Sequence, residues 1–98
     1  MGLRDRYDFD ILVNAAEQLV INELERQLEL PQNGDVCRSS DCVLDIAALA
    51  LNQVRPLYGV NLIGRLYAAE REREHASEVQ RAVAQAVERI RRNPPPTD

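Results

Sequence analysis

The sequence contains no lysine and no tryptophan, and only one histidine (His75), one phenylalanine and two cysteines among its 98 residues. Each scarcity excludes something. With aromatic residues at 4%, too few rings are present to stack along a single-stranded nucleic acid. An acidic balance, 16 carboxylates against 12 cationic side chains and a net charge of −4, removes the uncompensated positive track that a polymeric nucleic-acid binder needs. A single histidine, no Gly-rich phosphate loop and no nucleophile set beside a base argue against an enzyme. Two cysteines do not make the disulfide framework of a small secreted fold. No apolar run approaches the ~20 residues that span a bilayer, and the opening stretch MGLRDRYDFD is too polar for a signal peptide. A cytoplasmic protein without membrane insertion is therefore expected.

All 12 cationic side chains are arginine. A guanidinium binds planar edges and oxyanions through a fork that an ammonium lacks, although a GC-rich genome produces the same bias, so composition leaves both readings open. The length allows one domain. At this size a chain buries only about 60–65% of the surface it exposes when unfolded, which makes a second copy sharing its apolar surface a large help.

Between Asp10 and Leu30, apolar side chains at Leu12, Ala16, Leu19, Val20, Leu24 and Leu28 follow a helical period. Asp8 or Asp10 can cap this helix, and Asn14 followed by Glu17 fits a capping box as well. Pro31 ends it, and Gln32 to Asp35 reads as a turn. Cys42 to Gln53 is apolar on nearly every face, as expected of a central helix buried all round, with Ser40 or Asp41 as its cap and Arg55-Pro56 after its end. Asp45 and Asn52, seven apart, fall near one face, where a buried carboxylate and amide would point together. A connector through Gly59 leads to a long C-terminal helix. Its Glu70–Glu74 run is an exposed charged face with Glu70–Arg73 and Arg71–Glu74 as neighbours, and Ala76, Val79, Val83, Ala86 and Ile90 form a small-residue seam. The spacing leaves open whether that seam packs within the chain or against a second copy. The expected organisation is an arm over 1–9, a helical domain over 10–92 and a Pro-rich disordered tail over 93–98. No β signal stands out, and the fold class is all-α.

Three groups of residues could carry chemistry. Cys37 and Cys42 are expected to be reduced in the cytosol, and alone they supply half of a zinc site, so no metal is expected. His75, among charged neighbours, reads as a surface imidazole. Arg38 and Asp41 have the spacing of a guanine-reading pair, the guanidinium donating to O6 and N7 while the carboxylate accepts from N1–H and N2–H. Equally, Asp41 can cap the central helix and Arg38 can form a loop ion pair. Further on, Arg55 and Arg65 are the only charges between Asn52 and Ala69, and Pro56 holds Arg55 near Tyr58, a combination suited to a phosphate and a base. The competing view places Tyr58 against the core and Arg55 on the end of the central helix.

The run CVLDIAALALNQVRPLY, from Cys42 to Tyr58, resembles the signature of the late competence development protein ComFB family, Cys-x-x-Asp-Ile-x-Ala-Leu-Ala-Leu-Asn with a Pro-x-Tyr shortly after. Val13-Asn14, Glu17 and Leu19-Val20 resemble the family's N-terminal segment, so the likeness covers roughly residues 11 to 69. The family's frequent Cys-x-Cys-x-x-Cys is met at Cys37 and Cys42, but Ser39 stands at the middle place, so the zinc known for some members lacks a thiolate here. The resemblance implies a small all-helical homodimer that binds a cyclic dinucleotide second messenger. The guanine-reading pair favours cyclic di-GMP over cyclic di-AMP. Arg38, Asp41, Asp45, Asn52, Arg55 and Tyr58 are the candidate binding residues, no cofactor is expected, and the bound state would be relayed to a downstream regulatory protein. The competing expectations are a protein-interaction module of competence or signalling that docks a partner through Arg89, Arg91 and Arg92, and a zinc-bridged dimer.

Overall fold

The computed structural model describes the backbone of residues 2–60 and 62–96, and the side chains among them other than those of 62–72. A four-residue helix α1 (Leu3–Arg6) and a 3-10 turn (Phe9–Ile11) precede a two-residue strand β1 (Val13–Asn14) and helix α2 (Ala15–Leu28). A second 3-10 turn (Pro31–Asn33), helix α3 (Ser40–Leu51), strand β2 (Tyr58–Gly59) and the 31-residue helix α4 (Leu62–Arg92) follow. The all-α class holds apart from one short antiparallel ladder, Val13 opposite Gly59 and Asn14 opposite Tyr58, which sequence periodicity over two residues does not reveal.

Helix α2 starts at the last of its three possible caps. Asn14 is extended and its Oδ1 accepts the Ala16 N–H at 3.1 Å, while Asp8 caps only the first 3-10 turn. The same Oδ1 accepts the Leu57 N–H at 2.7 Å, and the Ala15 N–H donates to the Leu57 carbonyl at 2.7 Å. One amide side chain thus fixes both the helix start and the ladder. Pro31 stands at the first position of the second 3-10 turn, where its missing N–H costs nothing. The cap of α3 is Ser39, one residue before the expected pair, its Oγ accepting the Cys42 N–H at 3.2 Å.

The core is a three-helix contact made mostly of alanine and valine, with a few larger aliphatic side chains. Ala16, Val20 and Leu24 of α2 and Cys42, Ile46 and Ala50 of α3 recur every fourth residue and meet Val79, Ala82, Val83, Ala86, Val87 and Ile90 of α4. The α4 seam therefore packs within the chain. Ala76 is exposed, and the buried residue that opens the seam is His75, at 5% exposure, which corrects the surface assignment. A start at 75 keeps the period, since 75, 79, 83, 86 and 90 lie on one face.

Helix α3 is not buried all round. Leu44 is 65% exposed, and Asp41, Asp45, Ala48 and Asn52 are exposed with it, so the buried carboxylate and amide expected at Asp45 and Asn52 both face solvent. Two neighbouring helices cover only part of its circumference. The molecule is correspondingly flat, measuring 45 × 34 × 18 Å. Its radius of gyration of 15.7 Å exceeds the roughly 13 Å of a compact chain of this length.

Replacing Asn14 by alanine removes one acceptor from two backbone donors, one at a helix start and one in the ladder. We expect a loss of about 1–3 kcal/mol of unfolding free energy, read from urea titration, with Asn14→Asp retaining most of it.

Candidate functional site

The candidate residues divide among three places. Asp41, Asp45 and Asn52 share the solvent face of α3 with Leu44 and Ala48, since steps of three and four keep them within one arc of the helix. Asp41 and Asn52 are about 16 Å apart along the axis, so no single base reaches both. Tyr58 lies beyond the helix end in β2, 57% exposed, and does not pack on the core. Arg55, its side chain 70% exposed, extends toward α4, where its Nε stands 3.5 Å from Glu78 Oε2. The side chain of Arg65 lies outside the described residues, as do those of Glu70, Arg71 and Glu72 in the charged run.

Arg38 is held by backbone carbonyls rather than in the expected loop ion pair. Its Nη2 donates to the carbonyl of Leu28 at 2.6 Å and to that of Asn33 at 3.1 Å, so the guanidinium closes the C-terminal end of α2. The physical reason is an unmet acceptor: the last carbonyls of a helix have no partner in the helix itself, and Pro31 prevents a further turn. Neighbouring groups complete this polar knot. The carbonyl of Gln27 accepts Asn33 Nδ2 at 2.7 Å, and Asn33 Oδ1 accepts Arg91 Nη2 at 2.5 Å. Arg91 also bonds Asp35 Oδ1 at 3.2 Å, the Gln32 carbonyl at 3.2 Å and the Glu88 carboxylate. In the competing interaction-module expectation, Arg91 belongs to a docking surface with Arg89 and Arg92. The structure places it in an internal tie between α4 and the turn after α2.

Cys37 and Cys42 are joined in a disulfide, with their Cα atoms 5.8 Å apart, which corrects the expectation of reduced thiols. In that form neither sulfur is a metal ligand. Among the described residues there is no group of three or more His, Cys, Asp or Glu side chains able to hold a metal ion. Cys42 is buried against α2 and α4, Cys37 is half-buried, and Cys37 Sγ lies 3.3 Å from Ser39 Oγ.

Two further polar features were missed in the sequence. Glu78 Oε2 is buried and accepts no hydrogen bond; Arg55 Nε stands 3.5 Å from it and the buried His75 Nε2 3.8 Å. A groove of about 450 Å³ runs between the end of α2 and α4, lined by Arg26, Asn33, Arg81, Glu88 and Arg91 among others, away from the α3 face. One turn back along α2, Glu23 accepts from Arg26 Nε at 3.0 Å, Arg26 Nη2 at 2.6 Å and Gln27 Nε2 at 2.7 Å. Among the described residues, no helix is long and apolar enough to cross a membrane.

The family model of the late competence development protein ComFB matches residues 13–94. The chain belongs to the ComFB family. A solved structure of the late competence protein ComFB from Bacillus subtilis has the same fold, with a TM-score of 0.63 at 24% identity over 86% of this chain and 94% of that one. No curated protein matches the chain. The family match begins at β1, so α1 and the first 3-10 turn precede it.

The Arg26 guanidinium holds the Glu23 carboxyl below its ordinary value of 4.5, burial opposes this, and the bond from Gln27 adds to it. A depressed carboxyl contributes stability in full above its unfolded pKa and loses it as pH falls through the folded one. The stability advantage of the native chain over Glu23→Gln should therefore be constant near neutral pH and shrink below about pH 4.5, followed by thermal unfolding across pH 3–7.

Proposed function

We propose that the chain is a cyclic dinucleotide receptor, binding cyclic di-GMP as a homodimer and relaying the bound state to a partner regulator. The observation that carries this is the uncovered face of α3: an exposed Leu44 and Ala48 flanked by Asp41, Asp45 and Asn52, three side chains able to pair with base edges. Membership of the ComFB family supports it. In this arrangement Asp41 and Asp45 accept from guanine N1–H and N2–H, and Asn52 pairs with a base edge. Arg55 neutralises a phosphate, and the exposed Tyr58 ring stacks. Arg55 can turn from Glu78 to a ligand at small cost, because its ion pair is long and mostly in water.

The groove lined by Arg26, Arg81 and Arg91 favours a second reading, a protein-interaction module that docks an acidic partner segment there without a small ligand. Arg26 and Arg91 are already paired with Glu23, Glu88 and Asp35, so much of that positive charge is neutralised internally.

Titration calorimetry of the intact chain with cyclic di-GMP and cyclic di-AMP decides between them. We expect micromolar or tighter binding of cyclic di-GMP, two ligand-facing surfaces per dimer, and a loss of about tenfold in affinity for Arg55→Ala or Asp45→Asn, equivalent to about 1.4 kcal/mol. Absence of binding to both nucleotides removes the receptor reading, and a wide preference for cyclic di-AMP removes the guanine-reading role of the aspartates.

A further inference from the structure

We infer that the Cys37–Cys42 bridge is a thiol–disulfide exchange site whose state determines whether Arg38 is held on the end of α2. The bridge closes a small ring that contains Arg38, Ser39, Ser40 and Asp41, and each side of the ring is anchored differently. Cys42 is a core residue in the first turn of α3. Cys37 is half-buried at the end of a loop whose other fixed point is the buried Val36. Within the ring, Ser39 caps α3 through the Cys42 N–H, and Arg38 reaches back to the carbonyls of Leu28 and Asn33. The clamp thus depends on a backbone direction at residue 38 that a covalent link to the fixed helix start enforces.

Accessibility sets the chemistry. A low-molecular-weight thiolate attacks Sγ of Cys37, the more exposed sulfur, forming a mixed disulfide and expelling Cys42 as thiolate. The first-turn amides of α3 favour that negative charge. A second thiolate attacks the sulfur of the bound small thiol, releasing the small-molecule disulfide and leaving Cys37 as thiolate. Both cysteine thiolates then take up a proton. Two electrons and two protons come from two equivalents of thiol, and the reverse sequence restores the bridge. A reduced Cys42 is tolerated where it lies, because a thiol packs among Val, Ala and Ile as a small apolar side chain. With the ring open, residues 37 and 38 are tied only by hydrogen bonds, and the guanidinium can leave the two carbonyls. It then stands three residues from Asp41, the spacing of a guanine-reading pair. That last consequence rests on the receptor reading, whereas the clamp itself does not.

The test is a mutational cycle on the full chain, comparing native protein with Arg38→Ala, each oxidised and in excess dithiothreitol, by thermal unfolding. In the oxidised state Arg38→Ala should lower Tm by about 4–8 °C, and in the reduced state by less than half of that. Cys37→Ser, placed at the half-buried position, should reproduce the reduced behaviour without reductant. An equal Tm loss in both states overturns the inference, as does a mass spectrum in which alkylation without reductant labels both cysteines of air-exposed protein. Affinity for cyclic di-GMP, measured on the same samples, should rise about tenfold on reduction. Equal binding in both states removes the gating, while no binding in either state counts against the receptor reading and leaves the Tm cycle to judge the clamp.

Discussion

The arrangement of the three long helices depends on how the carbonyls at the end of α2 are satisfied. Pro31 stops the helix in a region that turns back into the protein, and unpaired carbonyls there would be costly. Three side chains from three separate segments meet that requirement: Asn33 from the turn, Arg38 from the loop before α3, and Arg91 from the last turns of α4 acting on Asn33. Each bond also fixes where its own element lies. A guanidinium suits the task because one planar group can donate to several acceptors in a fixed geometry, and Arg91 does so to four partners. The lysine-free composition thus has a structural use at two positions, whatever its origin.

A core of alanine and valine brings the helices close but leaves little depth. Among the described residues nothing covers the face of α3 that carries Leu44, and its apolar sequence is shared between a buried stripe and a wet one. This reconciles the run that reads as a core helix with Leu44 standing in water.

Helix positions were legible from period alone, and Asn14 was legible as a cap because an amide before an apolar repeat has few other roles. The family motif was legible in the central run. His75 was misjudged by its charged sequence neighbours, although its phase with Val79 and Val83 pointed inward. The bonds of Arg38 were hidden for a different reason: its acceptors are backbone carbonyls ten and five residues away, and a carbonyl has no sequence signature. The shared face of Asp45 and Asn52 was legible, but the expectation that these two are buried failed, because a sequence shows which sides of a helix are apolar and not how many neighbours arrive to cover them.

The double role of Asn14 carries a consequence for the order in which the chain assembles. Its bond to Ala16 is local and can form as soon as α2 nucleates, whereas its bond to Leu57 requires a loop of 43 residues to close, with α3 inside it. Loop closure of that length is slow compared with helix growth. The cap of α2 therefore gains its second bond only once the segment after α3 has returned beside it.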